Sequence, residues 1–80
     1  MNDTDILQQI SKLVEEEHQL LRQEESGEAV DPGNDRRREL EETLDQCWDL
    51  LRQRRARRAM GEDPDEAHTR SKETVEGYLQ

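Results

Sequence analysis

Eighty residues make one small domain at most. Charged residues are 41% of the chain and hydrophobic ones 29%, which borders on the composition of disordered segments and leaves only a thin core for a single copy. The formal net charge of −9 argues against general binding to nucleic acid or anionic membranes, and the single cysteine excludes an intramolecular disulfide.

The opening MNDTDILQQI has no basic region followed by a long apolar run, so no secretory signal is expected. No apolar run exceeds two residues, so no membrane span is expected either. One unpaired thiol fits a reducing compartment, and the expected location is the cytoplasm.

Asn2, Asp3 and Thr4 are all good N-cap types, and Asp5 suits the positive end of a helix. Ile6, Leu7, Ile10, Leu13, Val14, Leu20 and Leu21 follow in steps of three and four, which predicts an amphipathic helix over about residues 4–26, interrupted only by Glu17. Gly27 is a natural stop. Asp31-Pro32-Gly33-Asn34 has turn chemistry, so residues 27–34 read as a turn, with Asp31 or Asn34 able to cap a second helix over about 35–60. That helix carries Leu40, Leu44, Cys47, Trp48 and Leu51, and its stripe would continue at Arg54 and Arg58. Gly61 ends it and Pro64 opposes its resumption. Residues 1–61 thus form one helical unit. Residues 62–80 form an acidic, partly flexible tail, in which Val75, Tyr78 and Leu79 point to a short helix over about 71–79, capped by Ser71, or to a docked extended segment.

Two long helices joined by a short turn predict an all-α, coiled-coil-like antiparallel hairpin. Folding about a turn near residue 30 sets Leu20 against Leu40, Leu13 against Cys47 or Trp48, and Ile10 against Leu51. Glu24 then meets Arg37, and Asp3 and Asp5 lie near the arginines at 54–58. A second apolar row, Leu7, Val14 and Leu21, is left over beside Trp48. A homodimeric four-helix bundle covers that row; the alternative is that Val75, Tyr78 and Leu79 cover it in a monomer.

Residues that carry chemistry are few. His18, Cys47 and His68 are the only soft or imidazole candidates and are widely scattered, so no metal site and no cofactor are expected. Glu15, Glu16 and Glu17 are consecutive on a helix and diverge, so they form no catalytic pair. Cys47 reads as a small buried hydrophobe, with a redox-sensitive thiol near a dimer axis as the sharper alternative. With no nucleophile–base set and no glycine-rich phosphate loop, an enzyme is not expected.

The remaining candidates are Trp48, Arg52, Arg54, Arg55, Arg57 and Arg58. Residues 32–60 carry 6 acids and 8 bases, the only net positive third of the chain. The arginines suit phosphate contact, yet they spread around the helix, complement its C-terminal dipole, lie near Asp3 and Asp5, and precede an acidic tail able to mask them. Trp48 and Tyr78 alone supply aromatic faces for base stacking. Trp48 belongs either to a helical core or to a partner interface, and a dimer merges the two.

The segment LDQCWDLLRQRRARR, the following GEDPDEA, the terminal VEGYLQ and the opening ILQQISKLVEEEHQL resemble a family of short actinobacterial proteins of unknown function. The resemblance covers nearly all of the chain except about residues 26–35. It implies a small helical hairpin with no assigned activity, substrate or cofactor, and directs attention to residues 44–58. The expected function is that of a non-enzymatic interaction or scaffold protein, homodimeric and with an unidentified protein partner. The alternative is a nucleic-acid-associated factor using residues Arg52 to Arg58.

Overall fold

The structure, a computed structural model, describes residues 2–27 and 32–79, and only the backbone of residues 32–34 and 79. The described residues are all helical or irregular, without strands. Helix α1 spans Asp3–Glu25, α2 Pro32–Ala59 and α3 Lys72–Leu79, with a single 3-10 turn at Pro64–Glu66 between α2 and α3.

The start of α1 is fixed by a reciprocal cap. The Asn2 side chain accepts from the backbone N–H of Asp5 at 2.8 Å, and the Asp5 carboxylate accepts from the N–H of Asn2 at 3.3 Å. Asp5, expected beside the arginines of α2, is used here instead, because its own helix terminus offers unsatisfied donors one turn away. Gly27 and Gly61 both take positive φ, +78° and +76°, and stop the two long helices. At Gly61 the N–H of Glu62 reaches the Arg57 carbonyl at 2.7 Å and that of Gly61 the Arg58 carbonyl at 3.1 Å, the double-bonded left-handed termination that glycine permits.

The expected turn about residue 30, and Asp31 as a cap, fall outside the described residues. Asn34 is not a cap: α2 already begins at Pro32, whose fixed φ and missing N–H suit a first helical turn.

Ion pairs join the start of α1 to the end of α2 and the end of α1 to the start of α2. Arg54 and Arg58 meet Asp3 at 2.6 Å, and Arg37 meets Glu24 at 2.7 Å. Between them lies a core of Ile6, Ile10, Leu44, Cys47, Leu50 and Leu51, with Leu13, Val14 and Ala67 packed against it. Arg36 and Glu16 add a further pair along one edge.

The 3-10 turn and α3 pack on α2, and the stretch between them also borders α1. It is tied by Gln46 and Gln53, whose Nε2 groups donate at 2.9 Å to the carbonyls of Arg70 and His68. Val75 is fully buried. Ser71 caps α3, its Oγ accepting from the N–H of Thr74 at 3.2 Å.

Candidate interaction surface

At about 100° per residue, positions one step apart on a helix lie on adjoining flanks, while positions seven apart nearly superpose. On α2 the core side carries Leu40, Leu44, Cys47 and Leu51. One flank bears Gln46, Leu50 and Gln53, and the tail crosses it: Thr69 lies with Gln46, Leu50 and Gln9 around a cleft of about 150 Å³. Leu50 is therefore buried although the expected stripe omitted it. The opposite flank of α2 carries Trp48. On α1 the same flank carries Leu7, Val14 and Leu21, each one step beyond Ile6, Leu13 and Leu20. Val14 is half-buried against the core, while the other three on this flank are left open. Leu7 stays 43%, Trp48 41% and Leu21 36% exposed. Trp48 is thus outside the core of the single chain, and the tail, through Val75, covers other surface of α2.

The arginine-rich end divides in two. Arg54 is buried at 6% exposure. Its Nε donates to Asp3 at 2.6 Å and its Nη1 to the Asp65 carboxylate at 2.9 Å and to the Pro64 carbonyl at 3.1 Å. Arg58 donates to the other oxygen of Asp3, also at 2.6 Å. Arg57 reaches Glu62 at 3.2 Å and Glu66 at 3.4 Å. The hydrogen bond from Arg58, followed by that from Arg54, holds the Asp3 carboxyl at about 2, below the ordinary aspartate range. Arg54 is correspondingly harder to deprotonate, chiefly through Asp3. Arg52 and Arg55 are exposed and have no ion-pair partner among the described residues. All five arginines are candidates in the sequence, with Arg54 and Arg58 on the continued stripe. The signal that separates Arg54 is its register, seven residues beyond Cys47 on the core side.

Other titratable groups lie outside this surface. Burial pushes the Cys47 thiol up, which suits a packed side chain and not a reactive thiolate. The Glu76 carboxyl on α3 is raised, first by hydrogen bonding with Asp45, then by burial and by the charges of Asp45, Glu42 and Glu41. Asp49, buried, accepts from Gln53 at 3.0 Å and lies 3.7 Å from Arg70, which in turn stacks over Tyr78 at 5.5 Å. Among the described residues no group of three His, Cys, Asp or Glu side chains converges on a metal position, and no helix is long and apolar enough to cross a membrane.

A family model described as protein of unknown function (DUF2630) matches residues 2–80. The chain belongs to this family. Two mycobacterial proteins, the uncharacterized protein Mb0922c of Mycobacterium bovis and the uncharacterized protein Rv0898c of Mycobacterium tuberculosis, are each 49% identical to it over 79 residues, which is 95% of this chain and 88% of theirs. The resemblance read from the cysteine–tryptophan pair and the arginine run is thereby confirmed as membership. No solved structure matches.

Proposed function

We propose that this DUF2630 protein is a non-enzymatic interaction protein whose two long helices form an antiparallel hairpin, and that it works in the cytoplasm as a homodimer built on the flank carrying Leu7, Val14, Leu21 and Trp48. One observation carries the reading: three large apolar side chains on a single flank stay about two-fifths exposed while the tail covers other surface. Scattered exposed apolar residues are ordinary on a soluble surface, but a row of them continuous over two helices marks an interface. A chain this small also gains much of its stability from assembly. Nucleic acid is the weaker reading, because Arg54, Arg57 and Arg58 are already paired with carboxylates of the same chain, and within the cluster only Arg52 and Arg55 have no ion-pair partner among the described residues.

Sedimentation equilibrium and light scattering on the full chain test the proposal. A dimer that persists at moderate salt and dissociates on Trp48→Lys is expected. A folded monomer at high micromolar concentration refutes it.

A further inference from the structure

Resting on that reading, we propose that the second copy binds about a twofold axis crossing the helices at the level of Trp48, so that α1 and α2 each lie antiparallel to their own counterpart and Glu41 of each copy pairs with Arg55 of the other.

The geometry begins with spacing. Glu41, Trp48 and Arg55 are seven residues apart and form one row on the uncovered flank of α2. The row has an acid at one end, the indole at its centre and a base at the other. An antiparallel pairing of two such rows centred on Trp48 brings acid to base at both ends. A parallel pairing brings Arg55 to Arg55 and Glu41 to Glu41. Both side chains are exposed, and neither has an ion-pair partner among the described residues, unlike Arg54, Arg57 and Arg58; Glu41 stands at the edge of the flank, where it shares a cleft with Arg38, Asp45 and Glu76 of α3.

The same axis suits α1. The Asp3–Arg54, Asp3–Arg58 and Glu24–Arg37 pairs fix the register of the two helices. In that register Trp48 lies level with the stretch between Leu7 and Val14. A twofold axis at that level therefore sets Leu7 of one copy near Val14 of the other, apolar on apolar. An axis running along the helices instead would set Arg55 level with Asp3 of the second copy, a carboxylate already held by two guanidinium groups.

The area suffices. The molecule is 50 Å long, and two helices side by side are roughly 20 Å across. Such a face is large enough for the roughly 800 Å² per partner of a stable interface.

Charge reversal tests the axis. Glu41→Arg and Arg55→Glu, each alone, place like charges together twice per dimer, and each is expected to weaken self-association about tenfold. A mixture of the two variants forms a heterodimer in which both contacts are again opposite in sign, and its affinity should return to within a few-fold of the wild-type value. Circular dichroism establishes that each variant is helical, and native mass spectrometry counts the heterodimer. Recovery in the mixture supports the axis. If the mixture is no tighter than either variant, or if neither reversal weakens the dimer, while Trp48→Lys still dissociates it, the axis is wrong and the interaction surface stands. If the wild-type chain is monomeric, or Trp48→Lys leaves the dimer intact, both proposals fall.

Discussion

Replacing Trp48 by lysine separates folding from association. An indole side chain presents up to about 250 Å² of surface. With 41% of it exposed, roughly 100 Å² awaits cover, worth about 2.5 kcal/mol per copy at ~25 cal/mol per Å². A twofold dimer covers it twice, so the loss is about 5 kcal/mol, or between three and four orders of magnitude in Kd. Lysine retains a four-carbon stem to lie over the part of the site already packed against the chain, and its ammonium stays in water. The variant should thus fold as a monomer. Trp48 is the only tryptophan, so its fluorescence reports one environment. In the wild-type protein the emission should move to shorter wavelength as concentration rises from nanomolar to high micromolar, in step with the sedimentation-derived dimer fraction. An emission maximum independent of concentration, with identical sedimentation of wild type and Trp48→Lys, would refute the reasoning.

Leu51→Ala removes a core side chain with 1% exposure and should cost about 2–5 kcal/mol in denaturant unfolding, an effect on folding and not only on assembly. Asp3 is the acid-side prediction. Its carboxyl is depressed to about 2, so its contribution is complete above the ordinary aspartate pKa and is lost as pH falls from about 4 towards 2. Melting temperature followed across that range should fall in the wild type and flatten in Asp3→Asn. Glu76 has the opposite sign. Its carboxyl is raised in the folded chain, so the stability it contributes is complete below the ordinary glutamate pKa and declines as pH rises through the raised value. Glu76→Gln should accordingly raise the melting temperature at neutral pH and change it little in acid; a lower melting temperature at neutral pH would contradict the crowding of Glu76 with Asp45.

Helical class and the pairing of opposite charges at the ends of α1 and α2 were legible from local pattern, because steps of three and four and the positions of Asp3, Glu24 and Arg37 need no knowledge of the tail. The choice between Trp48 and Leu50 was not. Both adjoin the Cys47–Leu51 core line, one step to either side, and either flank accepts an apolar residue. What decides is the path of residues 67–70. The carbonyls of Arg70 and His68 accept from Gln46 and Gln53, on the flank of Leu50. Two glutamine amides, unremarkable among so many polar residues, therefore determine which apolar side chain is enclosed. The burial of Arg54 was missed for a related reason. Arginine is rarely enclosed unless paired, and its second carboxylate, Asp65, comes from a turn whose Asp63 side chain caps it by accepting from the N–H of Asp65 at 2.9 Å. That placement depends on the fold of the tail and not on distance in sequence.

The position of Arg54 bears on why the helices hold one register. A leucine there would extend the apolar seam and tolerate a slide of α1 along α2 by one turn, since leucine and isoleucine exchange partners at little cost. A buried guanidinium does not tolerate it: moved by a turn, it loses Asp3 and keeps only the Asp65 carboxylate, so a buried charge is left half-paired, a larger penalty than a misplaced methyl group. The same slide would also separate Arg37 from Glu24 at the other end. Register fixed in this way is what keeps Leu7 and Val14 of α1 on either side of the level of Trp48 on α2, and so makes one continuous row from residues on two helices. The paired charges at 54 and 58 thus position the apolar flank, and on the proposed axis the charges at 41 and 55 would stand at its two ends against those of a second copy.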